Sequence, residues 1–294
     1  MINGITNCRY FLAGGALEVI ILGKPHDWSL AKVQTQEDAS KNEELLSRIG
    51  NICYCSGASD IFAPNPSEFN AVVLSGKETD GDVRAEFPAK IDLGQGMVLH
   101  RGAKADGCAL LPRQAFFLAS ADCPTGILHD AESGMTRAFH AGRECLWDRK
   151  YHLEGKEPRT HESVVDAAMP YSTVLNNPIA YIVGGIGPES LSHPWTHPTH
   201  GDTNKKMVEY FKKYMNAVVG NPEEGMLDLT AVIKCQLISR RMIFAKSTNI
   251  WSDTIDTYKD HGEAGHLWWS HRRSVILKDG DEKKRNGVLV IRHR

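Results

Sequence analysis

A cysteine and a histidine, Cys123 and His140, lie seventeen residues apart in the sequence, each inside a short run of mostly small or apolar residues. Residues 121–124 (Ala-Asp-Cys-Pro) surround the thiol, and residues 139–142 (Phe-His-Ala-Gly) surround the imidazole. A cysteine and a histidine can act together as nucleophile and general base, or as two ligands of a zinc ion. We therefore ask which elements would bring these two side chains together.

The segment between the two residues has the pattern of a β-hairpin. An apolar run over 115–120 continues in Gly-Ile-Leu at 126–128, residues 130–134 have turn chemistry, and residues 135–139 alternate as a second strand. Two antiparallel strands would carry Cys123 and His140 to the same end of the ribbon. A buried thiol beside a structural histidine is the alternative. Asp122 favours a functional pair, because an acid next to the thiol could orient a histidine or bind substrate.

Two further groups of residues could do chemistry. His193, His197 and His200 are close in sequence, but the prolines between them prevent a regular helix that would align three ligands on one face. We favour a polar loop there, and a metal site is the alternative. Arg272 and Arg273 follow two tryptophans. They could clamp a phosphate or carboxylate, or lie in a strand against aromatic faces.

The composition is typical of a globular protein with a small-molecule substrate. Of the 294 residues, 41% are hydrophobic and 24% are charged, and the net charge of −2 gives no reason to expect a nucleic acid or an anionic membrane as partner. No apolar run approaches the ~20 residues of a membrane span. The first residues also lack the basic start and apolar stretch of a signal peptide. We expect a cytoplasmic protein that is a monomer or a weak homo-oligomer.

The cysteines form an odd set. There are seven of them, without a repeated C-x-x-C spacing, which argues against both a disulfide framework and a zinc ribbon. A chain of this length also needs no covalent staples to bury its core. We therefore expect most of the cysteines to be small buried hydrophobes, and Cys123 stands out by its context.

Helix and strand patterns alternate along the chain, which predicts one mixed α/β domain over 1–294. Residues 75–104 are rich in Gly, Asp and Lys and predict a long loop, and the glycines over 184–187 would allow positive φ. The predicted strands are 17–22, 72–74, 179–186, 243–246 and a closing hairpin of 275–277 with 287–291. The predicted helices are 35–49, 162–172 as far as Pro170, 205–219, and 229–242 with Asp228 as its cap.

Taken in order, several segments resemble the family variously called multicopper polyphenol oxidoreductases (laccase-like), peptidoglycan-editing factors and purine nucleoside phosphorylases. Residues 105–107 (Ala-Asp-Gly) are similar to the family's first Ala-Asp motif. Residues 120–128 resemble its Ala-Asp-Cys motif, and residues 139–142 its His-Ala-Gly motif, at the spacing that the family uses. Three weaker matches carry weight only because they follow the other motifs in the same order. Residues 187–188 match the family's Gly-Pro turn, residues 227–237 its late helix, and residues 270–273 its Ser-aromatic-Arg-Arg strand.

The resemblance implies an α+β fold in a single domain, a layered α/β/β/α sandwich with mixed sheets that is similar to cysteine-hydrolase-like folds. It also implies a zinc ion held by two histidines and one cysteine, and action on purine nucleosides by phosphorolysis or adenosine deamination. Cys123 and His140 carry over as metal ligands and catalytic residues, and Asp122 as a catalytic residue that shapes the site. Arg272 and Arg273 carry over as substrate-binding residues.

Three departures separate this chain from the family pattern. In the segment that best fits the family's Gln-x-His-Gly motif, Thr79 stands where the family has a metal-binding histidine. His100 is our candidate for the missing third ligand, and Glu78 or Asp80 could substitute with oxygen. Residues 143–145 (Arg-Glu-Cys) stand where the family has Trp-Arg-Gly. The family's cysteine-threonine pair before the last strand has no evident counterpart.

The first hypothesis is therefore a zinc-assisted enzyme that acts on a purine nucleoside and phosphate, with the metal as a Lewis acid. The alternative is a metal-free hydrolase or deamidase, with Cys123 as nucleophile and His140 as base. A third hypothesis, which the missing histidine permits, is a degenerate relative that binds a nucleotide without turnover. Copper is less favoured than zinc, because one cysteine and few matched histidines do not describe a multicopper centre.

Overall fold

The computed structural model describes residues 7–66, 71–76, 81–169, 175–240, 249–263 and 265–293. The strands of the first half, in chain order, are β1 (Asn7–Leu12), β2 (Leu17–Leu22), β3 (Asp60–Asn65), β4 (Val73–Leu74), β5 (Ala89–Gly94), β6 (Met97–Lys104), β7 (Gly107–Leu110), β8 (Gln114–Ser120), β9 (Thr125–Asp130) and β10 (Thr136–His140). The later strands are β11 (Pro178–Val183), β12 (Val218–Val219), β13 (Met226–Leu227), β14 (Ile250–Ser252), β15 (His261–Gly262), β16 (Gly265–His266) and β17 (Asn286–Arg292). The α-helices are α1 (Gln36–Ser40), α2 (Glu43–Cys55), α3 (Arg149–Glu154), α4 (Val164–Ala168), α5 (Gly201–Phe211), α6 (Leu229–Arg240) and α7 (His271–Leu277).

Two large mixed sheets organise the strands. The first has the order β1-β2-β17-β8-β3-β6-β5, and the second has the order β14-β11-β9-β10-β7-β4. In the first sheet β3 is parallel to both β6 and β8, whereas the other neighbours are antiparallel. In the second sheet the two edge strands, β14 and β4, are parallel to their neighbours. Both sheets are therefore mixed.

The sheets pack face to face, and helices cover their outer faces. On β2 the alternation of a strand separates the side chains: Val19 and Ile21 pack toward the second sheet, and Ile20 and Leu22 pack toward α1 and α2. On the far side α4, α5 and α6 bury their apolar faces against the second sheet. The layers follow the order α/β/β/α, which confirms the expected α+β sandwich.

Several predicted elements are present in the structure. The strands at 17–22, 72–74 and 179–186 correspond to β2, β4 and β11, and α6 begins after Asp228, whose Oδ1 accepts a hydrogen bond from the Ala231 N–H at 2.9 Å. Gly184 and Gly185 have positive φ of 65° and 124°. All seven cysteines are free thiols. Across the described ranges, every helix is too short or too polar to span a lipid bilayer.

The predicted loop over 75–104 is wrong, because its second half forms the antiparallel pair β5 and β6. Gln95 and Gly96 have positive φ of 55° and 73° and close the turn between these strands. Lys90, Asp92 and Lys104 lie on exposed positions of the pair, whereas Ile91 and Leu99 are fully buried. β6 also buries His100 and Arg101, so its polar residues concealed a strand.

Two other predicted elements differ from the structure. The predicted helix over 35–49 is two helices, α1 and α2, which meet at Lys41 and Asn42. The predicted closing hairpin is also wrong, since its first arm is the helix α7. Ser270 caps α7 by accepting a hydrogen bond from the Arg273 N–H, and this local signal overrides the β propensity of the apolar run after it. The predicted strand at 243–246 and Pro170 lie outside the described residues.

The apolar run that begins at 115 does not continue into 126–128 as one strand. β8 belongs to the first sheet and β9 to the second, so residues 121–124 cross from one sheet to the other. Asp122 in this crossover has a φ of 77°, a left-handed conformation that Asp tolerates better than most residues. The crossover places Cys123 where the two sheets diverge.

Candidate functional site

A cavity of about 610 Å³ opens where the two sheets diverge. Its wall consists of the crossover 121–124, the end of β10, the loop over 186–193 and the first residues of α7. The lining residues with functional groups include Asp106, Asp122, Cys123, His140, Arg143, Glu144, Cys145, His193, His271, Arg272 and Arg285. This volume lies within the range of small-molecule sites.

The predicted pair lies side by side in this cavity. β10 pairs with β9 so that His140 is opposite Thr125, and the Ala141 N–H donates to the Pro124 carbonyl at 2.9 Å. The hairpin therefore brings Cys123 and His140 to the same end, as the sequence indicated. Gly142 leaves the space between them open, because a Cβ there would lie 2.9 Å from His140 Nε2 and 3.0 Å from Cys123 Sγ.

The other ring nitrogen of His140 faces two residues that the sequence did not single out as ligands, Asp106 and Cys145. His140 Nδ1 lies 3.7 Å from Asp106 Oδ1 and 3.5 Å from Cys145 Sγ, and the Cys145 thiol donates to Asp106 Oδ1 at 3.2 Å. A 3-10 turn over Arg143–Cys145 folds Cys145 back beneath the histidine. Asp106 is 1% exposed. A buried carboxylate needs hydrogen-bond partners, and the Cys145 thiol is one of them.

The three groups influence one another electrostatically. Burial alone would lower the pKa of His140, but the acidic groups of Cys145 and Cys123 and the hydrogen bonds with Asp106 and Cys123 outweigh it and raise that pKa well above its usual value. Burial raises the pKa of Cys145 to about 11, and the Cys145 thiol donates to Asp106 Oδ1. The raised pKa of His140 favours a protonated imidazole when no ion is bound.

Asp106, His140 and Cys145 have the donor atoms and the spacing of a zinc site. Their oxygen, nitrogen and sulfur atoms all lie within 4.8 Å of one another. Zinc bonds of about 2.0–2.3 Å at tetrahedral angles place neighbouring ligand atoms about 3.3–3.8 Å apart. The observed separations of 3.2, 3.5 and 3.7 Å are close to these values. The residues present therefore fit a zinc ion.

Asp122 joins the crossover to two neighbouring segments. Its Oδ1 accepts a hydrogen bond from the Thr257 hydroxyl at 2.7 Å, and its Oδ2 accepts from the Arg272 N–H at 2.8 Å. Both carboxylate oxygens are thus committed to protein donors. Although Asp122 lines the cavity, its contacts make it a residue that positions Cys123 and α7.

The two arginines at the start of α7 have different surroundings. Arg272 lines the cavity, and its Nη2 donates to the Ser192 carbonyl at 2.8 Å. Arg273 is 5% exposed and donates to the carbonyls of Thr257 and Tyr258, away from the cavity lining. Its expected role in substrate binding has no support in this geometry, because its guanidinium holds a loop in place.

Arg143 supplies a second cation to the cavity. Its Nη1 lies 3.1 Å from His193 Nδ1, and its Nη2 donates to Glu144. Burial, with the nearby charges of Arg143 and Arg272, lowers the pKa of His193 to about 3. His193 is therefore neutral at physiological pH and can accept a hydrogen bond from Arg143.

The three clustered histidines do not share a site. His193 lines the cavity, whereas His197 and His200 are exposed and stack with their ring centroids 4.9 Å apart. His197 Nδ1 accepts from the N–H groups of Thr199 and His200 at 3.3 and 3.2 Å. This arrangement corresponds to the polar loop that the sequence favoured over a metal site.

His100 lies away from the cavity, so the structure does not bring the expected third ligand to Cys123 and His140. It is on β6 of the first sheet, where its Nε2 lies 2.7 Å from Asp60 Oδ1 and its ring stacks on Phe62 with centroids 4.7 Å apart. It is absent from the described lining residues. The alternative positions 78 and 80 and the substituted position 79 lie outside the described ranges.

The fold and the cavity define a class of protein. Its members are α/β/β/α sandwiches with a cavity next to the crossover between the two sheets. Three crystal structures share this fold. A Neisseria meningitidis protein of the family-model DUF152 has 14% identity and a TM-score of 0.58 over 98% of this chain and 100% of that chain. The hypothetical protein YfiH of Bacillus licheniformis has 15% identity and a TM-score of 0.55, over 93% of this chain and 92% of that chain. YlmD from Geobacillus stearothermophilus has 14% identity and a TM-score of 0.62, over 96% of this chain and 94% of that chain.

The likeness to these structures extends over almost the whole length of both chains and confirms the expected fold. No protein-family sequence model and no curated protein sequence matches the chain. At 14–15% identity, the comparison establishes a shared fold. Function must therefore be argued from the site.

Proposed function

We propose that this chain is a divergent member of the polyphenol oxidase-like and purine nucleoside phosphorylase-like family, and that it is a zinc-dependent enzyme acting on purine nucleosides. The cluster of Asp106, His140 and Cys145 at the wall of the cavity carries the proposal. The solved structures that share the fold are the DUF152, YfiH and YlmD proteins of that family. Phosphorolysis and adenosine deamination are the reactions that the resemblance implies.

The three clustered residues would hold the ion through one carboxylate oxygen, His140 Nδ1 and one thiolate sulfur. Three protein ligands with an open position are the usual composition of a catalytic zinc site. When bound, zinc supplies a Lewis acid for a water, phosphate or ribose oxygen. Cys123 lies on the opposite side of the imidazole, next to Nε2, and faces the cavity as a candidate catalytic group.

Of the three arginines that line the cavity, Arg272 and Arg143 are suited to an anionic co-substrate. Arg272 uses Nη2 on the Ser192 carbonyl, and its buried Nε has no partner among the described residues. Arg143 lies across the cavity wall next to neutral His193. Guanidinium groups pair strongly with phosphate, so we assign phosphate binding to Arg272 and Arg143. Asp122 holds Arg272 in place through the backbone.

Metal content and turnover test this proposal together. Purified wild type should bind about one zinc ion per chain, and Cys145→Ser should lose most of it, because one ligand of three is removed. The matched control is Cys55→Ser, an exposed cysteine outside the cluster. Adenosine and inosine, each with phosphate, should be converted by the wild type and the control but not by Cys145→Ser.

Three outcomes would contradict the proposal. If wild type and Cys145→Ser bind zinc equally, the assignment of the ligands is wrong. If zinc-loaded wild type leaves every nucleoside unchanged, the substrate class is wrong. Loss of zinc in Cys123→Ser with retention in Cys145→Ser would place the ion on the Nε2 side of His140 and overturn the ligand set.

One observation favours a second candidate, a metal-free thiol hydrolase. His140 lies between Cys123 on its Nε2 side and Asp106 on its Nδ1 side, which is the order of nucleophile, base and orienting acid. In that case iodoacetamide would modify Cys123 rapidly in chelator-treated protein, and Asp106→Asn would slow the modification. Slow modification of Cys123, at the rate of the exposed Cys55, would exclude the thiol mechanism.

A further inference from the structure

A second cavity, of about 800 Å³, adjoins the candidate site and is unusually cationic. Arg101 forms part of its wall, together with Lys32, Lys283 and Arg285. Asp27 is the single acidic residue among its described lining residues, and its Oδ1 already accepts the N–H groups of Ser29 and Arg285. The cavity is therefore lined by four cations and one acid that is committed to the backbone.

Arg101 is the unusual member of this group, because it is a buried charge without a counter-ion. The residue is 3% exposed. Its Nε, Nη1 and Nη2 donate to the carbonyls of Val33, Ala63 and Leu30, respectively. Of the five N–H groups of a guanidinium, three are thus used, and no carboxylate pairs with Arg101 in the described part of the chain.

Burial lowers the pKa of Arg101 to about 10, so the residue keeps its charge at neutral pH. Its carbonyl contacts explain a structural role, which is to tie the loop at 30–33 to β3. They do not neutralise the charge, and buried charges are normally paired. Lys32, Lys283 and Arg285 also lack a salt bridge within the described residues.

We propose that this second cavity binds the phosphate group of a phosphorylated small molecule. The ammonium groups of Lys32 and Lys283 are point charges, which suit a tetrahedral phosphate, and Arg101 has all three guanidinium nitrogens engaged with carbonyls, so it offers no free planar fork to a carboxylate. Leu30, Leu45, Pro64 and Phe117 line the same cavity and offer an apolar surface for the rest of the ligand. Cys123 and His140 are absent from its described lining, whereas Pro66, Ala119 and Arg285 line both cavities.

Calorimetric titration with pyrophosphate and with ATP tests the proposal, using full-length protein treated with a chelator so that zinc does not contribute. We expect both ligands to bind wild type. The Lys32→Gln/Lys283→Gln double variant should bind roughly tenfold more weakly or worse, because two charges near the anion are removed. Both lysines are exposed, so the variant should fold normally.

A matched control separates the cavity from the overall charge. Lys90→Gln/Lys206→Gln removes the same charge from exposed positions outside both cavities and should bind pyrophosphate like wild type. Citrate should bind at least roughly tenfold more weakly than pyrophosphate.

Four results would overturn the proposal: no binding of pyrophosphate or ATP to wild type, undiminished binding in Lys32→Gln/Lys283→Gln, equal weakening in the two double variants, or equally tight binding of citrate. The second result would assign the anion to the arginines of the first cavity, and the fourth would replace phosphate by anions in general. Because zinc and turnover play no part in this measurement, none of these results decides whether the cluster of Asp106, His140 and Cys145 binds zinc.

Discussion

At the scale of single residues, Gly142 shapes the site by having no side chain. A Cβ there would lie 2.8 Å from His140 Cε1 and 3.0 Å from Cys123 Sγ, closer than such contacts normally come. The φ of Gly142 is −64°, which any residue adopts, so the added methyl would displace side chains and leave the backbone unstrained. We expect Gly142→Ala to weaken zinc binding by roughly tenfold, because orientation of a ligating imidazole controls its affinity. Competition with a chromophoric chelator would measure this change.

Gly50→Ala is the matched control for this substitution. Gly50 lies inside α2, and its added Cβ would meet Leu93 at 3.7 Å, an ordinary contact. The control should bind zinc like wild type and gain about 0.5–1 kcal/mol in the free energy of unfolding, since alanine is the better helix former. Equal zinc affinity in Gly142→Ala and wild type would mean that the imidazole has room to move, against the prediction.

The sequence was sufficient to predict some residues of the candidate site but not others. Cys123 and His140 could be found because a hairpin with a clear turn fixes which residues meet at its end. Asp106 and Cys145 could not be assigned as neighbours of His140, because their approach depends on a 3-10 turn and on a connection between two strands. His100 was misplaced because a position in sequence does not reveal which sheet a strand joins.

At the scale of elements, Asp122 holds the sheet crossover, the segment around Thr257 and the start of α7 together. Asp122→Asn keeps the tolerance for a φ of 77°, but the amide has one acceptor oxygen for two donors. We expect the free energy of unfolding to fall by about 1–3 kcal/mol, the cost of one buried donor left without a partner. Urea denaturation would measure it.

Glu132→Gln provides the comparison, because Glu132 is exposed in the turn between β9 and β10. Its free energy of unfolding should stay within about 0.5 kcal/mol of wild type. If Asp122→Asn is as stable as Glu132→Gln, then the crossover is held by its backbone bonds alone. Two backbone hydrogen bonds of the crossover would remain: the Ile186 N–H donates to the Asp122 carbonyl and the Ala141 N–H donates to the Pro124 carbonyl, each at 2.9 Å.

The elements themselves were predictable where the apolar pattern matches the burial. β2 is buried on both faces and is a continuous aliphatic run apart from Glu18, and α6 buries one apolar face, so their patterns were sufficient. β6 is buried on most of its length yet includes His100 and Arg101, so its polar letters suggested a loop. α7 exposes Val275, Ile276 and Leu277 at 49–60%, which is the reverse of the usual burial and explains why an apolar run predicted a strand.

At the scale of the whole molecule, the two sheets share one buried interface, in which Val19 and Phe116 of the first sheet meet Ile127 and Ala138 of the second. Neither sheet could expose this face to water without losing much of its apolar burial. We therefore expect residues 1–294 to unfold as a single cooperative domain, although chains above about 150 residues often populate intermediates.

Leu46→Ala tests this cooperativity from one outer layer. Leu46 is 3% exposed on α2, on the far side of the first sheet, and its truncation should cost about 2–5 kcal/mol. Hydrogen exchange in urea, followed on peptides from α2 and from α6, should show the same fall in midpoint for both, because α6 packs on the opposite outer face. If the α6 peptides keep the wild-type midpoint, then the sandwich unfolds in two parts and the shared interface is weaker than its burial implies.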